Sequence, residues 1–427
     1  MRNSVIATLI ACTFVSMNVQ ADDLLKTYQQ ALVNDAQYAS ARAALSAGQE
    51  KLPQARAGLL PSVGLSGGTS RTEFENRQNF SGSSYSLALS QPLFRWANWQ
   101  QYEQGKLSVA LSETQFAQTR QDLILRVAQA YFDVLAAQDT IGFVQAQKTA
   151  ISEQLASAKQ NFEVGTATIT DSYEAQARYD LAAAQEYAAQ SDLEIKRAAL
   201  QQIIGSAPGD LAKLKTGVTL SPPQPAQIDS WVNSAEQQNT SVLGSRIGLE
   251  IAQRDISKNR AGHYPTVDLI ASRNHGNQSG SNLAGDTNTI GVQWNIPLFA
   301  GFAVTSRVRE AIALEDKARF DLETARRSAA QGARQSYLGV TSGMAQVNAL
   351  EAAEISSLSA LDANKLGYQV GVRINIDVLN AQQQLFSTRR DLAKARYDTI
   401  VNGLRLKSAA GILQEQDLQL VNGLLIQ

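Results

Sequence analysis

The chain has almost no cysteine: one in 427 residues, Cys12, and it lies inside an N-terminal stretch with the pattern of a removable leader. The rest of the chain is therefore expected to hold neither disulfides nor thiol chemistry. No run of eighteen apolar residues occurs, which excludes a membrane-spanning helix. Any contact with lipid must be made another way. There is no excess of either charge, with 38 Lys and Arg against 39 Asp and Glu, so the basic field that nucleic acid requires is missing. Histidine is scarce as well. His263 and His275 stand at a strand start and in a loop with no ligand cluster near them. A Gly-rich phosphate loop, a GxSxG elbow and zinc spacing are all lacking, so the sequence offers no catalytic residues, cofactor or metal.

What is present begins with MRNSVIATLIACTFVSMNVQADD: one Arg, an apolar stretch from Val5 to Val19, then Val19-Gln20-Ala21 ahead of two acids. This is the pattern of a secretory signal over residues 1–21. Leu9-Ile10-Ala11-Cys12 would also pass as a lipidation box, but cleavage there would leave an unusually short signal and strand further apolar residues. The longer signal is the favoured reading.

Beyond the leader the chain repeats itself. Gly165 matches Gly371, Asp171 matches Asp377, Tyr131 matches Tyr337 and Gly205 matches Gly411, all at a separation of 206 (371 − 165). Pro92-Leu93-Phe94 matches Pro297-Leu298-Phe299 at 205, and Pro61 matches Pro265 at 204. Two copies of one unit are expected, over residues 22–227 and 228–427. Residues 206–230, with four of the nine prolines, read as the linker between them.

Proline placement says what each unit is. None occurs between Pro92 and Pro208, nor after Pro297, and both intervals are rich in Ala, Gln, Leu, Glu and Arg. A helix from Trp96 to Val164 would run roughly 100 Å. Along it Leu107, Leu111, Leu123, Val127, Tyr131 and Val134 recur at threes and fours with Ala in many gaps, a narrow stripe suited to close helix packing. Between the prolines the period changes to two. Tyr85, Leu87 and Leu89 alternate with Ser84, Ser86 and Ser90, and Ile290, Val292 and Trp294 alternate with Thr289, Gly291 and Gln293. Strands are expected at about 62–70, 83–91, 266–274 and 288–296, paired as hairpins with long polar tips. Apolar on one side and small and polar on the other, they have the signature of an outer-membrane barrel. Four strands cannot close around a lumen, and open edges are not tolerated in lipid, so other copies must complete the barrel. Phe94, Trp96, Trp99, Phe299 and Phe302 follow the strands and suit an aromatic belt at the membrane interface, although helix-core positions would account for them too.

Five segments carry a resemblance: LLPSVGLSGG at 59–68, SQPLFRW at 90–96, FEVGTATITDSYEAQARYD at 162–180, GYQVGVRINIDVLNAQQQL at 367–385 and ARYDTIVNGLRLKSAAG at 395–411. In this order they are similar to the TolC family of outer-membrane export channels, across essentially the whole mature chain. The resemblance implies a mixed fold: a homotrimer whose twelve strands form one transmembrane β-barrel and whose helices form a long α-helical barrel through the periplasm. It implies a channel for type I protein secretion or multidrug efflux, docked through a periplasmic adaptor onto an inner-membrane ABC or proton-driven pump.

It also implies roles for the two stretches where the long helices turn back. Gly165 and Gly371 allow backbone that other residues resist, and Thr170 and Asp171 in one tip, Asn375 and Asp377 in the other, are candidates to cap the returning helices. In the family these tips close as an iris, which assigns a gate to Thr170, Asp171, Tyr368 and Arg373, with Arg373 and Tyr368 bonding a carboxylate across a protomer boundary. Asp377 and Asn380 stand where the family lines its constriction, usually with two acids; one carboxylate ring in place of two predicts a cation preference that persists while blockade by multivalent cations weakens. The linker and the short C-terminal tail are expected to form a reduced belt near mid-tunnel. The rival reading is a periplasmic coiled-coil adaptor or rod, which the paired strand hairpins at a repeat near 205 residues do not suit.

Overall fold

The computed structural model describes residues 22–73, 75, 79–215, 217–278 and 285–426. The expected signal with Cys12, and parts of both strand-connecting loops, lie outside the described residues. Helices α1 (Leu24–Asn34), α2 (Ala36–Gln49) and α3 (Lys51–Ala57) lead to strands β1 (Ser62–Thr72) and β2 (Phe80–Phe94), then to α4 (Trp96–Glu163) and α5 (Ile169–Ile204). The order recurs as α6 (Ile228–Gln238), α7 (Thr240–Arg260), β3 (Thr266–Gln278), β4 (Gly285–Asn295), α8 (Ala303–Gln369) and α9 (Asn375–Ala409), closed by α10 (Glu415–Asn422).

The proline-free intervals are helices of 68 and 67 residues, each about 100 Å long. Each returns only half-way, through α5 and α9, and a short helix continues the line to the sheet. The joints are built alike. Gly205 and Gly411, both at φ +77°, end the returning helices. Asn34 Nδ2 then donates to the Ile204 carbonyl (2.8 Å), and Asn239 Nδ2 to the Ala409 carbonyl (3.0 Å), at the starts of α2 and α7. Two broken helix lines thus lie against two unbroken ones.

The four strands form one antiparallel sheet in the order β1-β2-β3-β4, so β2 and β3 join the two repeats. Register places Leu65 opposite Leu87, Leu89 opposite Ala271, and Ala271 opposite Ile290, which gathers the exposed Val63, Leu65, Leu87, Ile290, Val292 and Trp294 on one face. Ser66, Ser86 and Asn274 line up on the other, where Ser86 Oγ donates to Asn274 Oδ1 (2.5 Å). The strands outrun the sequence expectation. Pro92 sits inside β2 beyond Ser90, where pairing with β1 has ended, so it is bordered by β3 alone, opposite Asp268; the register then skips Leu93 and Phe94 pairs with Val267, so Phe94 ends the strand and does not follow it.

The largest core lies at mid-length, where α1, α10 and the linker wrap the middle of α4 around Tyr28, Tyr131, Phe132, Leu200, Leu413 and Leu418. The linker and C-terminal tail run side by side: Lys215 N donates to Leu424 O (3.0 Å) and Ile426 N to Lys213 O (2.8 Å). The two repeat-matched tyrosines hold this girdle to the helices. Tyr131 Oη donates to Ala212 O (2.8 Å) and Asp22 O (3.1 Å), and Tyr337 Oη donates to Ala226 O.

Candidate functional site

The tips farthest from the sheet carry the candidate gate. In the first, α4 ends and Gly165 turns at φ +77°, with its N–H to Phe162 O (3.0 Å) and that of Thr166 to Asn161 O (2.8 Å). Gly371 does the same at φ +80° in the second tip, followed by Val372 N to Gly367 O (2.9 Å). Both glycines therefore stand where the sequence placed them, in the left-handed region that L side chains resist.

The caps differ from expectation. The residue in extended backbone just ahead of α5 is Thr168, at φ −88° and ψ 156°, so its hydroxyl, not that of Thr170, meets the first free N–H groups. Thr168 Oγ1 accepts from Asp171 N (3.4 Å), while Asp171 Oδ2 accepts from Thr168 N (3.0 Å) and Thr168 Oγ1 (2.8 Å). Thr170 is already in the first helical turn. In the second tip the equivalent of Thr168 is Ile374, which has no capping oxygen. Asn375 does not supply one either. It is buried and ties the tips together, its Nδ2 donating to Asp171 O (3.3 Å) and its Oδ1 accepting from Gln154 Nε2 (2.5 Å).

Asp377 matches Asp171 yet has no cap to close. Its Oδ2 lies 3.7 Å from Arg373 Nη1, an open pair on an exposed surface. The Tyr368 hydroxyl accepts from Asn161 Nδ2 (3.1 Å), joining α8 to α4. Of the four gate residues, the described part of one protomer brings no two together: Asp171 serves the cap, Tyr368 meets Asn161, Arg373 meets Asp377, and Thr170 is given no side-chain partner. Asn380 accepts from Arg178 Nη2 (3.1 Å), and Arg178 Nη1 donates to Gln383 Oε1 (2.7 Å). Sequence reading passed over Arg178. Its one signal was a position two turns beyond Asp171, which says nothing of α9.

At the opposite end Phe94, Trp96, Trp99, Phe299 and Phe302 cluster where strands become helices, and all are exposed. Trp99 tilts on Tyr102 with ring centroids 5.9 Å apart, and Phe299 meets Phe302 edge-on at 5.4 Å. Phe302 holds φ +62° after Gly301 at φ +57°, the one non-glycine among the described residues with positive φ.

The sequence profile described as outer membrane efflux protein matches residues 27–206 and 231–412. The chain belongs to the outer membrane efflux protein family. It is similar to outer membrane protein TolC of Vibrio cholerae, 35% identical over 415 residues covering 96% of this chain and 95% of that protein. It is also similar to the alkaline protease secretion protein AprF of Pseudomonas aeruginosa, 32% identical over 93% of this chain and 86% of the relative. Among solved structures, that of the outer membrane protein VceC of Vibrio cholerae superposes with a TM-score of 0.79 at 19% identity, covering 91% of this chain and 96% of that one. The open state of the MtrE outer membrane channel of Neisseria gonorrhoeae gives 0.78 at 19%, covering 92% and 90%. The family is a class of transport channels, not of enzymes. As a member of the outer membrane efflux protein family the chain is an outer-membrane export channel, with its sheet in the membrane and most of its helical length in the periplasm.

Proposed function

We propose that three copies assemble into one conduit that carries cargo from an inner-membrane pump across the periplasm and outer membrane, serving type I protein secretion with shared efflux duty. The observation that carries this is the sheet: its two outer strands, β1 and β4, each keep one unpaired edge beside an exposed apolar face. Such an edge is untenable in lipid unless it pairs with another copy. Three copies of four strands give twelve, enough for a lumen, and the serine-rich face then lines it.

A periplasmic adaptor protein and an ABC or proton-driven pump are the partners this conduit requires, with outer-membrane lipid around the sheet. The AprF relative, named for secretion of an alkaline protease, supports polypeptide cargo. In this reading the helical tips close the periplasmic end. Thr170 and Asp171 of one copy meet Tyr368 and Arg373 of its neighbour, and an adaptor that binds the separated tips more tightly opens them. Asp377 and Asn380 line the passage, and Phe94, Trp96, Trp99, Phe299 and Phe302 mark the periplasmic-side interface of the outer membrane. Deletion of the gene, followed by comparison of the secretome with dye accumulation, tests the assignment: loss of secreted proteins supports it, and an unchanged secretome with unchanged dye efflux overturns it.

A further inference from the structure

We infer that Arg178 sets charge selectivity at the narrow end of the tunnel by offsetting the carboxylate that Asp377 supplies there. The inference rests on the channel reading above, in which Asp377 and Asn380 face the passage. Arg178 stands on α5 and reaches α9, donating from Nη2 to Asn380 Oδ1 (3.1 Å) and from Nη1 to Gln383 Oε1 (2.7 Å). Asp377, Asn380 and Gln383 follow one another at intervals of three, so the guanidinium lies on the same helix face as the constriction residues. Asn380 and Gln383 are exposed and Arg178 is half-buried, so this face is open in the protomer.

The chemistry of the contacts matters more than their number. Both acceptors are neutral amides, and a guanidinium keeps its charge at any physiological pH. Among the described residues Arg178 has no carboxylate within 4.0 Å, and Glu174, one turn nearer the tip on the same face, lies beyond that distance. The positive charge is therefore fixed in direction by two hydrogen bonds and neutralised by neither. Asp377 meanwhile has Arg373 only at 3.7 Å in an open pair, and the closure proposed above takes Arg373 to the neighbouring copy, which leaves Asp377 without a cation of its own. Asp377 alone would predict a cation-preferring passage. Arg178, hydrogen-bonded to Asn380 three residues along α9 from Asp377, adds a fixed cation to each copy near that anion, and threefold assembly multiplies both equally. The tunnel then passes chloride nearly as readily as potassium, which suits a conduit for cargo of either sign.

A purely structural role, stapling α5 to α9, would need the hydrogen bonds but not the charge. Reversal potentials in planar bilayers under a KCl gradient separate the two, with purified trimers checked by their heat-modifiable band. Arg178→Gln should raise the potassium-to-chloride permeability ratio about threefold or more. Asn380→Asp should move it in the same direction, because a carboxylate opposite Arg178 would accept both prongs and cancel its charge. Arg178→Lys should leave the ratio near that of the unmodified protein. A wild-type ratio in Arg178→Gln would overturn the role of Arg178 while leaving the channel intact. An unmodified trimer that does not conduct would overturn the channel reading, and this inference with it.

Discussion

Asp35 and Arg126 face each other as a two-pronged ion pair, with Nη1 to Oδ2 and Nη2 to Oδ1 both at 3.0 Å, where the start of α2 rests on α4. Asp35 is also the cap of α2, accepting from Tyr38 N at 2.6 Å, and its side chain is almost wholly buried. One carboxylate thus anchors the joint between α1 and α2 and clamps it to the long helix.

Asp35→Asn should cost about 2–3 kcal/mol, since the amide keeps part of the cap but leaves a guanidinium facing no charge. Thermal melting of the helical circular dichroism signal in detergent measures it. The pH dependence follows from the sign of the shift. Burial pushes the Asp35 carboxyl upward, but hydrogen bonds from Arg126 and from the Tyr38 and Gln37 amides outweigh it and hold the group below its ordinary 3.8. A depressed carboxylate contributes stability that is present in full above 3.8 and lost as pH falls through the lower folded-state value. Acid should therefore narrow the difference between the variant and the unmodified protein, and a constant difference from pH 7 to pH 3 would contradict the pairing.

The tips offer a matched pair of tests. Thr168→Val removes the hydroxyl of the only tip cap of this kind among the described residues and should cost about 1 kcal/mol. Ile374→Thr places a hydroxyl at the equivalent position and should add about 0.5–1 kcal/mol by recruiting Asp377 into a cap, which at the same time draws it from Arg373. Denaturant midpoints of the two variants should move in opposite directions.

Arg373→Ser should raise single-channel conductance in planar bilayers, because it removes the cation from the proposed closure between copies. The pair with Asp377 within one chain is long and exposed, so it does not compete strongly for that role. Conductance equal to that of the unmodified channel would remove Arg373 from the gate.

Much of this architecture was legible in advance. Proline spacing marked the long helices from Trp96 and after Pro297, because a proline is costly inside a helix and cheap at its ends. Alternation marked the strands, since a half-buried sheet in lipid repeats every second residue. What escaped depended on contacts that span the repeats. Thr168 and Thr170 flank Ile169 alike, and only the handover from the turn at Gly165 decides which hydroxyl precedes the helix. Pro92 looked like a strand stop, but it stands on a stretch of β2 that β1 no longer borders. The match of Tyr131 to Tyr337 was visible, but its use in holding the girdle was not, because the carbonyls they meet lie 81 and 111 residues away.

Those tyrosines yield a graded prediction. Tyr131 is fully buried, and its hydroxyl serves two carbonyls, one from the first residues of the described chain and one from the linker. Tyr131→Phe would leave the Ala212 carbonyl without this donor in a dry core, while the Asp22 carbonyl keeps the Ala212 amide (3.1 Å), and should cost about 1–3 kcal/mol. Tyr337 meets a single carbonyl, that of Ala226, on an exposed surface where water replaces the lost donor, so Tyr337→Phe should cost about 0.5 kcal/mol or less. The distinguishing readout is local. Hydrogen exchange at the Ala212 and Lys215 amides should accelerate in Tyr131→Phe, because the linker strand would detach from α4 before the long helices separate. Equal effects of the two substitutions, or exchange accelerated evenly along α4, would mean that apolar packing around Phe132 and Leu200 holds the girdle, with the hydroxyls incidental.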